Sequence, residues 1–251
     1  ICQLCAIFII AMWKEVHMTD DQHQLDQRLV VGYLEYVLAG DEVSATRMVD
    51  ELRSVGTSID ALYLGLFIPV QREIGSRWSR GEVAIANEHM ATEITARMMD
   101  RLRDVGVRKP TLGKRVVVCA GPDERHAMGA RIVADFLYRD GWEVDFLGAD
   151  IPGAELVRFV ETIRPDVGAI SVILSEGLAS LRDTIGQVKT ATPDIKVILG
   201  GLAIASEEEA HALGADGFGT VALESTKGAR MLVGLSSSFT LDLFLSYLCH
   251  N

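Results

Sequence analysis

The segment "GPDERHAMG", residues 121–129, places a carboxylate and an imidazole where they could act together on a metal ion. Glu124 stands two residues before His126, and Gly129 stands three residues after it. A carboxylate that accepts the proton of one ring nitrogen leaves the lone pair of the other nitrogen to a metal. Taken alone, the same residues also suit a solvated loop histidine, so the surrounding elements must decide between the two interpretations.

The same segment does not indicate a site for nucleotide phosphates. A phosphate-binding loop is rich in glycine, opens directly into a helix and often carries a lysine. That combination is not present between residues 121 and 129.

Around this segment, short apolar runs alternate with helical patterns. The runs that predict strands are "RVVVCAG", "EVDFLG", "VGAISVI", "KVILGG" and "GADGFG". The patterns that predict helices cover His126–Asp140, Pro152–Ile163, Gly177–Thr192, Glu207–Leu213 and a segment from about Leu223. This repetition predicts an α/β domain at residues 109–235, a doubly wound, five-stranded parallel sheet of the Rossmann-like, flavodoxin-like kind. Ligands of such sheets bind at the carboxyl ends of the strands, where residues 121–129 fall.

Residues 20–108 show helical patterns throughout and predict an all-α domain. Four segments with helical spacing of apolar residues are joined by short connections, which predicts a four-helix bundle. In the second helix, we expect Val43, Met48, Val49 and Leu52 to face inward. Residues 1–19 and 236–251 are expected to be an N-terminal extension and a C-terminal tail outside the two domains.

Three motifs, separated by defined numbers of residues, support a ligand-binding role for His126. They are His126 and Gly129 after the first strand, Ser171 and Ile173 after 41 further residues, and Gly200 and Gly201 after another 26. This arrangement resembles the cobalamin-binding signature of methionine synthase and its relatives, Asp-x-His-x-x-Gly, Ser-x-Leu and Gly-Gly. Each motif lies at the carboxyl end of a predicted strand. The resemblance spans about residues 20–235.

The resemblance implies that the chain binds cobalamin. His126 would be the lower axial ligand of cobalt, with Glu124 as its hydrogen-bonded partner. The residues implied to line a slot for the nucleotide tail of the cofactor are Ser171, Ile173, Gly200, Gly201, Asp216 and Gly217. Glycines suit such a slot because they remove side chains where a bulky group must pass the backbone.

The chain departs from this pattern at three positions. Glu124 replaces the usual Asp, which keeps the charge but lengthens the side chain, and Ile173 replaces Leu. Methyl-transferring relatives extend the His–Asp pair to a serine six residues after the first motif serine, and that position is Gly177 here. The last departure disfavours a proton relay of the methionine-synthase type.

The bundle contains a second set of residues that suits a ligand. In "WSRGEVAIANEH", Trp78 is followed by Ile85 and then by Glu88 and His89. On one continuous helix these side chains would share a face, whereas an interruption at Gly81 would leave Trp78 at the end of the preceding helix. Without the domain that follows, the same residues also suit a bundle core with a solvated polar edge.

The spacing Trp-(x)9-Glu-His resembles the cap of the light-dependent cobalamin regulators of the CarH type. That resemblance implies that Trp78, Ile85, Glu88 and His89 surround the adenosyl group of adenosylcobalamin, whose loss in light changes the assembly. The regulators carry a histidine directly after the tryptophan, which captures cobalt after photolysis. Ser79 stands at that position here, so the ligand after illumination stays open.

The resemblance and the composition together favour a cytoplasmic, non-enzymatic sensor. The formal net charge of −11 disfavours direct nucleic-acid binding, and no winged helix-turn-helix precedes the bundle in these residues. The output is therefore expected through a regulatory partner protein or a homo-oligomer. The four cysteines form no disulfide framework, Cys2 and Cys5 are a lone CxxC pair, and no segment predicts a membrane span.

Two other interpretations stay open. A corrinoid carrier subunit of a cobalamin-dependent methyltransferase would share both domains, although its bundle is not expected to show Trp78, Glu88 and His89 together. An α/β domain without a cofactor would require the register of three motifs to be accidental. A bilin as a second chromophore is also left open, because no bilin site is readable from the residues.

Overall fold

A computed structural model describes residues 25–236, which form two compact units divided between Val107 and Arg108. The predicted N-terminal extension, the Cys2/Cys5 pair and residues 237–251 of the predicted tail lie outside the described residues. The sequence places the boundary between residues 108 and 109. Arg108 donates to the carbonyl oxygens of Tyr138 and Trp142, contacts that tie it to the second unit.

The first unit is a bundle of four helical segments. They are α1 (Gln27–Ala39), α2 (Glu42–Ser54), α3 (residues 59–79) and α4 (Ile85–Arg103). Helix α1 ends at Gly40, whose φ of 74° is the left-handed conformation that glycine adopts without strain. The side-chain oxygens of Asp41 and Ser58 accept from the backbone amides of Ser44 and Ala61, which satisfies donors at the starts of α2 and α3.

Helix α3 contains a wider turn in its middle. It is α-helical over Ile59–Leu62 and Ile68–Ser79, and the two stretches are joined by the π-helical turn Tyr63–Phe67. Pro69 follows this turn and has no N–H to donate to the preceding turn, so the extra residue accommodates the proline without ending the helix. The π turn is fully buried and places the Phe67 ring 5.6 Å from the Tyr33 ring.

The prediction for the inward face of α2 is wrong at Val43, which is 77% exposed. Ala45 and Val49 are buried, and they lie four residues apart on one face of the helix. Val43 comes two residues before Ala45, which turns its side chain about 200° away from that face. Its position in the first turn of α2 therefore leaves it in solvent.

The second unit is a five-stranded parallel sheet with the strand order β2-β1-β3-β4-β5. The strands are β1 (Arg115–Ala120), β2 (Glu143–Gly148), β3 (Val167–Ser171), β4 (Lys196–Gly200) and β5 (Gly217–Gly219). The helices are α5 (Met128–Arg139), α6 (Gly153–Ile163), α7 (Leu178–Ala191), α8 (Glu207–Ala212) and α9 (Ala222–Leu232). The predicted fold, an all-α bundle followed by a doubly wound α/β domain, is confirmed.

Both faces of this sheet are covered, which explains why its central strands are apolar without alternation. Leu181 and Ile185 of α7 pack with Cys119 on one face, and Leu137 of α5 packs with Val118 on the other. The order of the strands reverses at β1 and β3, because the chain goes from β1 to β2 on one side and then to β3 on the other. The loops after β1 and β3 therefore flank the crevice where ligands bind in such folds. None of the helices described between residues 25 and 236 is long and apolar enough to cross a membrane.

Candidate functional site

His126 and Glu124 are in contact in the loop between β1 and α5. The Nδ1 atom of His126 lies within hydrogen-bond distance of Glu124 Oε1, and the backbone N–H of His126 donates to the same oxygen over 3.0 Å. The His126 side chain is 54% exposed, whereas that of Glu124 is 2% exposed. With Nδ1–H directed to the carboxylate, the lone pair of the neutral imidazole is on Nε2, the arrangement that a metal requires.

The carboxylate of Glu124 also reaches the loop after β3. Its Oε2 atom accepts from the backbone N–H groups of Ile173 and Leu174, over 2.8 and 2.9 Å. Burial alone would raise the pKa of Glu124, but the bonds from the His126 side chain and from three backbone amides outweigh burial and lower it to about 2. Glu124 is therefore ionised at neutral pH and acts as an acceptor only.

The other motif residues of the central strands meet beside this loop. A Cβ atom added to Gly129, in the first turn of α5, would lie 3.3 Å from Ser171 Oγ at the end of β3. Gly201, directly after β4, has a φ of 101°, and a Cβ there would lie 2.2 Å from the carbonyl oxygen of Val172. The three motifs thus converge at the carboxyl ends of β1, β3 and β4, and Gly201 is required by the protein backbone itself.

The end of β5 differs from the prediction. A Cβ on Gly200 would lie 2.6 Å from the Gly219 carbonyl oxygen, so Gly200 and Gly219 form the close approach at the carboxyl ends of β4 and β5. Asp216 precedes β5, where its carboxylate accepts from the Val197 amide and pairs with Lys189. It lies three residues, or about 10 Å, from the carboxyl end of the strand. Asp216 therefore lies away from the predicted slot. Gly217, the first residue of β5, is one residue nearer to the carboxyl end of the strand.

In the bundle, Gly81 interrupts the helix, and Trp78 lies on α3 while the other predicted residues lie on α4. Gly81 has a φ of 74°, within the connection between Ser79 and Ile85. The Trp78 and Ile85 residues are 38% and 55% exposed, so both have apolar surface outside the bundle core. Both residues stand at the end of the bundle where α3 passes into α4.

The side chains of Glu88 and His89 are in contact near this helix connection. His89 Nδ1 lies 2.7 Å from Glu88 Oε2, and the two side chains are 71% and 25% exposed. The Thr92 hydroxyl lies 3.1 Å from Glu88 Oε1 and 2.9 Å from Gln71 Oε1 on α3. The Glu88 carboxylate is thus held between His89 and a polar chain that crosses from α4 to α3.

Three features of the site carry no clear signal in the sequence. The amide of Leu174 contributes to the Glu124 contact through its backbone, which any residue type would offer. Gly219 is one of three glycines in "GADGFG", and only the strand register separates its position from that of Gly217. Gln71 and Thr92 lie on different helices, so their contact depends on the packing of the bundle.

Fold and site together define a class of protein: a helical bundle joined to a flavodoxin-like sheet, with a carboxylate-paired histidine at the carboxyl end of its first strand. Two family descriptions, both "B12 binding domain", match residues 30–103 and 113–227, which is most of the chain. The chain therefore belongs to the B12-binding proteins, with a B12-binding helical domain followed by a B12-binding α/β domain.

Relatives of two functional kinds are similar to this chain. It is 30% identical over 172 residues, 68% of its length, to the HTH-type transcriptional repressor CarA of Myxococcus xanthus, and the match spans 55% of that repressor. It is 27% identical over 165 residues, 64% of its length, to dimethylamine corrinoid protein 3 of Methanosarcina mazei, of which the match spans 98%. The solved structure of the Methanosarcina barkeri monomethylamine corrinoid protein shares the fold, with a TM-score of 0.68 over 81% of this chain and 97% of that one, at 16% identity.

The residues of the α/β unit fit cobalamin. Within residues 25–236, no group of three or more His, Cys, Asp and Glu side chains could hold a metal ion by itself, whereas a single histidine suits a metal that arrives inside a macrocycle. His126 is exposed and its ring is oriented by a buried carboxylate. The carboxyl ends of β4 and β5 are both glycine, Gly200 and Gly219, which face each other in the sheet.

Proposed function

We propose that this cobalamin-binding protein is a light-responsive sensor that uses adenosylcobalamin. The observation that carries the proposal is the group at the α3–α4 end of the bundle, in which the exposed indole of Trp78 accompanies the Glu88–His89 pair. An indole provides a large apolar surface for the adenosyl group, and the polar pair provides hydrogen-bond partners for its ribose and base. Ile85 adds a second exposed apolar surface.

In this proposal, His126 is the lower axial ligand of cobalt, oriented by Glu124. Ser171, Gly200 and Gly201 hold the nucleotide tail at the carboxyl ends of the central strands, with Gly129 and Ile173 beside them. When bound, the cofactor supplies a cobalt ion with an upper cobalt–carbon bond that light breaks. The protein contributes binding and orientation, and it passes the change on without catalysing a reaction of its own.

The output is proposed to be a change in homo-oligomer or in a regulatory partner protein. The similarity to the repressor CarA supports a regulatory role for the matched segment. Direct nucleic-acid binding stays disfavoured by the net charge of −11, since contacts to phosphates need a basic surface. Ser79 stands where a second histidine would be needed to bind cobalt after loss of the adenosyl group, so this chain would offer no imidazole at that position.

A second candidate function is that of a corrinoid carrier for a methyltransferase. It is favoured by the match to dimethylamine corrinoid protein 3, which extends over 98% of that protein. His126 and Glu124 would hold cobalt in the same way in a carrier. The two functions differ in the upper ligand, because a carrier must accept and release a methyl group and does not need a surface for adenosine.

A reconstitution experiment distinguishes the sensor from the carrier. The full chain is loaded with adenosylcobalamin in the dark and illuminated with green light, and its visible spectrum and its size by light scattering are recorded. The sensor predicts that illumination changes the visible spectrum and, where the output is a homo-oligomer, the oligomer size, and that neither changes when the protein is loaded with hydroxocobalamin. An unchanged size, together with methyl transfer to or from the bound corrinoid, would establish the carrier instead.

The lower ligand is tested separately with His126→Ala. The base-off/His-on spectrum of the bound cofactor should be lost in this variant, because no imidazole remains at that position. His211→Ala is the matched control, since His211 is also half-exposed and lies on α8, where its Nδ1 contacts the Ala215 carbonyl oxygen. A His-on spectrum that persists in His126→Ala would remove His126 as the ligand.

A further inference from the structure

Both oxygens of the Glu124 carboxylate accept as many hydrogen bonds as they can. Oε1 contacts the backbone N–H and the ring Nδ1 of His126, and Oε2 accepts from the backbone N–H groups of Ile173 and Leu174. A carboxylate offers about four lone-pair sites, so these four contacts fill them. The residue that orients the imidazole therefore also holds the loop that follows β3.

The main chain of Glu124 is tied down as well. Its N–H donates to the Gly121 carbonyl oxygen over 3.1 Å, and its carbonyl oxygen accepts from the N–H of Asp150, after β2, over 2.8 Å. The position of the Glu124 Cα atom is therefore set by the loops after β1 and β2. From that position, the side chain must span the gap to the amides of Ile173 and Leu174.

The loops after β1 and β3 are also packed closely at a second point. A Cβ atom on Gly177 would lie 3.0 Å from the Pro122 carbonyl oxygen, which is tighter than most Cβ contacts. The main chains of the two loops therefore lie close together at Gly177, and the Glu124 carboxylate bridges the same two loops through the amides of Ile173 and Leu174.

We propose that Glu124 is a positioning residue that joins the axial histidine to the loop after β3, and that its function requires a glutamate in particular. Aspartate is shorter by one methylene group, about 1.5 Å, and cannot reach both His126 and the two amides from the same Cα position. Glutamine has the length but only one acceptor oxygen. This inference rests on the cobalamin site of the proposed function.

The consequence is mechanical. His126 cannot reorient without disturbing the carboxylate that holds residues 173 and 174, so a change of ligand at cobalt would be felt by the loop after β3. The coupling between His126 and the loop after β3 depends on the two oxygen atoms of the Glu124 side chain. A substitution of Glu124 can therefore remove the contacts to His126 or the contacts to the loop.

The first test uses the full chain without cofactor, so that it does not depend on cobalamin binding. Amide hydrogen exchange is measured by NMR at Ile173 and Leu174 in the wild type, Glu124→Asp and Glu124→Gln. In the wild type, both amides should exchange at least about tenfold more slowly than free peptide, although they lie outside any helix or strand. In Glu124→Asp, this protection should fall by about tenfold or more.

The second readout is the protonation of the His126 ring, which a merely structural role would not change. Imidazole 15N shifts should show Nδ1–H in the wild type, and a decrease of this tautomer in Glu124→Gln, whose amide cannot accept on both sides. Glu161→Gln, on the exposed surface of α6, is the matched control and should leave both readouts unchanged. After cobalamin loading, both Glu124 variants should show a smaller fraction of the His-on spectrum than the control.

The outcomes separate this inference from the proposed function. Unprotected Ile173 and Leu174 amides in the wild type would overturn the inference whether or not the variants fold. Unchanged exchange and an unchanged ring tautomer in folded Glu124 variants would do the same. A wild type that shows the expected exchange and tautomer but no response to light would retain the positioning role while the sensor function fails.

Discussion

The carboxylate of Glu124 is the charged group that orients the residues around it in the site. Glu124 is buried, ionised and bonded to three backbone amides and one imidazole. Burial of a carboxylate is costly unless its oxygens are fully satisfied. Here the N–H donors of the loops after β1 and β3 meet that requirement, so the same contacts that orient His126 also stabilise the ionised form of Glu124.

We expect the unfolding free energy of the cofactor-free protein to depend on pH through Glu124. Its pKa is about 2 in the folded chain and about 4.3 in an unfolded one. A lowered pKa contributes stability above the unfolded value, and this contribution is lost as the pH falls through about 4 toward 2. Urea unfolding at pH 7, 5, 4 and 3 should show that the wild type loses stability relative to Glu124→Gln over this range.

The control for this measurement is Glu161→Gln, which should follow the wild type at every pH. Its carboxylate lies on the exposed surface of α6 and has none of the contacts that Glu124 makes. A constant difference between the wild type and Glu124→Gln from pH 7 to pH 3 would contradict the lowered pKa of Glu124 in the folded chain.

At the scale of elements, two close main-chain approaches lie at Gly200 and Gly201, where β4 ends. A Cβ at residue 200 would lie 2.6 Å from the Gly219 carbonyl oxygen, and one at residue 201 would lie 2.2 Å from that of Val172. These obstacles are main-chain atoms, which cannot rotate away. The paired glycines therefore allow β4, β5 and the loop after β3 to converge.

Gly200→Ala should accordingly lower the unfolding free energy, by about 1–3 kcal/mol, because the β4 and β5 ends must separate. Gly186→Ala is the matched control. Gly186 lies inside α7, and among the described residues nothing outside the backbone of that helix comes within 4 Å of the position that an added methyl group would take. Alanine should therefore stabilise α7 by about 0.5–1 kcal/mol. Thermal or urea unfolding of the cofactor-free variants checks both signs, and a neutral Gly200→Ala would show that the strand ends can relax.

The sequence predicts the elements far better than the contacts between them. Strand and helix patterns depend on local periodicity, so the order of the elements and the positions of His126 and the motif glycines follow from it. The double use of Glu124 depends instead on how far the loop after β3 lies from the loop after β1. Likewise, the exposure of Val43 and the placement of Asp216 before β5 depend on helix rotation and strand register, which residue types alone do not determine.

At the scale of the whole molecule, the two proposed functions place different demands on the two units. Either function needs cobalt held by the α/β unit through His126. Only the sensor needs the bundle to recognise a large upper ligand, and the residues available for this recognition are Trp78, Ile85, Glu88 and His89. Selectivity between upper ligands is therefore the property that separates a sensor from a carrier.

We expect Trp78→Ala to lower the affinity for adenosylcobalamin about tenfold, or about 1.4 kcal/mol, while the affinity for methylcobalamin changes less than about twofold. The physical reason is that an indole contributes a large apolar surface to an adenosyl group and little to a methyl group. Titrations in the dark, followed by the visible spectrum, measure both affinities. Val55→Ala is the control, since Val55 is exposed in the bundle after α2, and it should alter neither affinity. Equal losses for both cofactors in Trp78→Ala would mean that Trp78 does not recognise the upper ligand, and the case for the sensor over the carrier would fail.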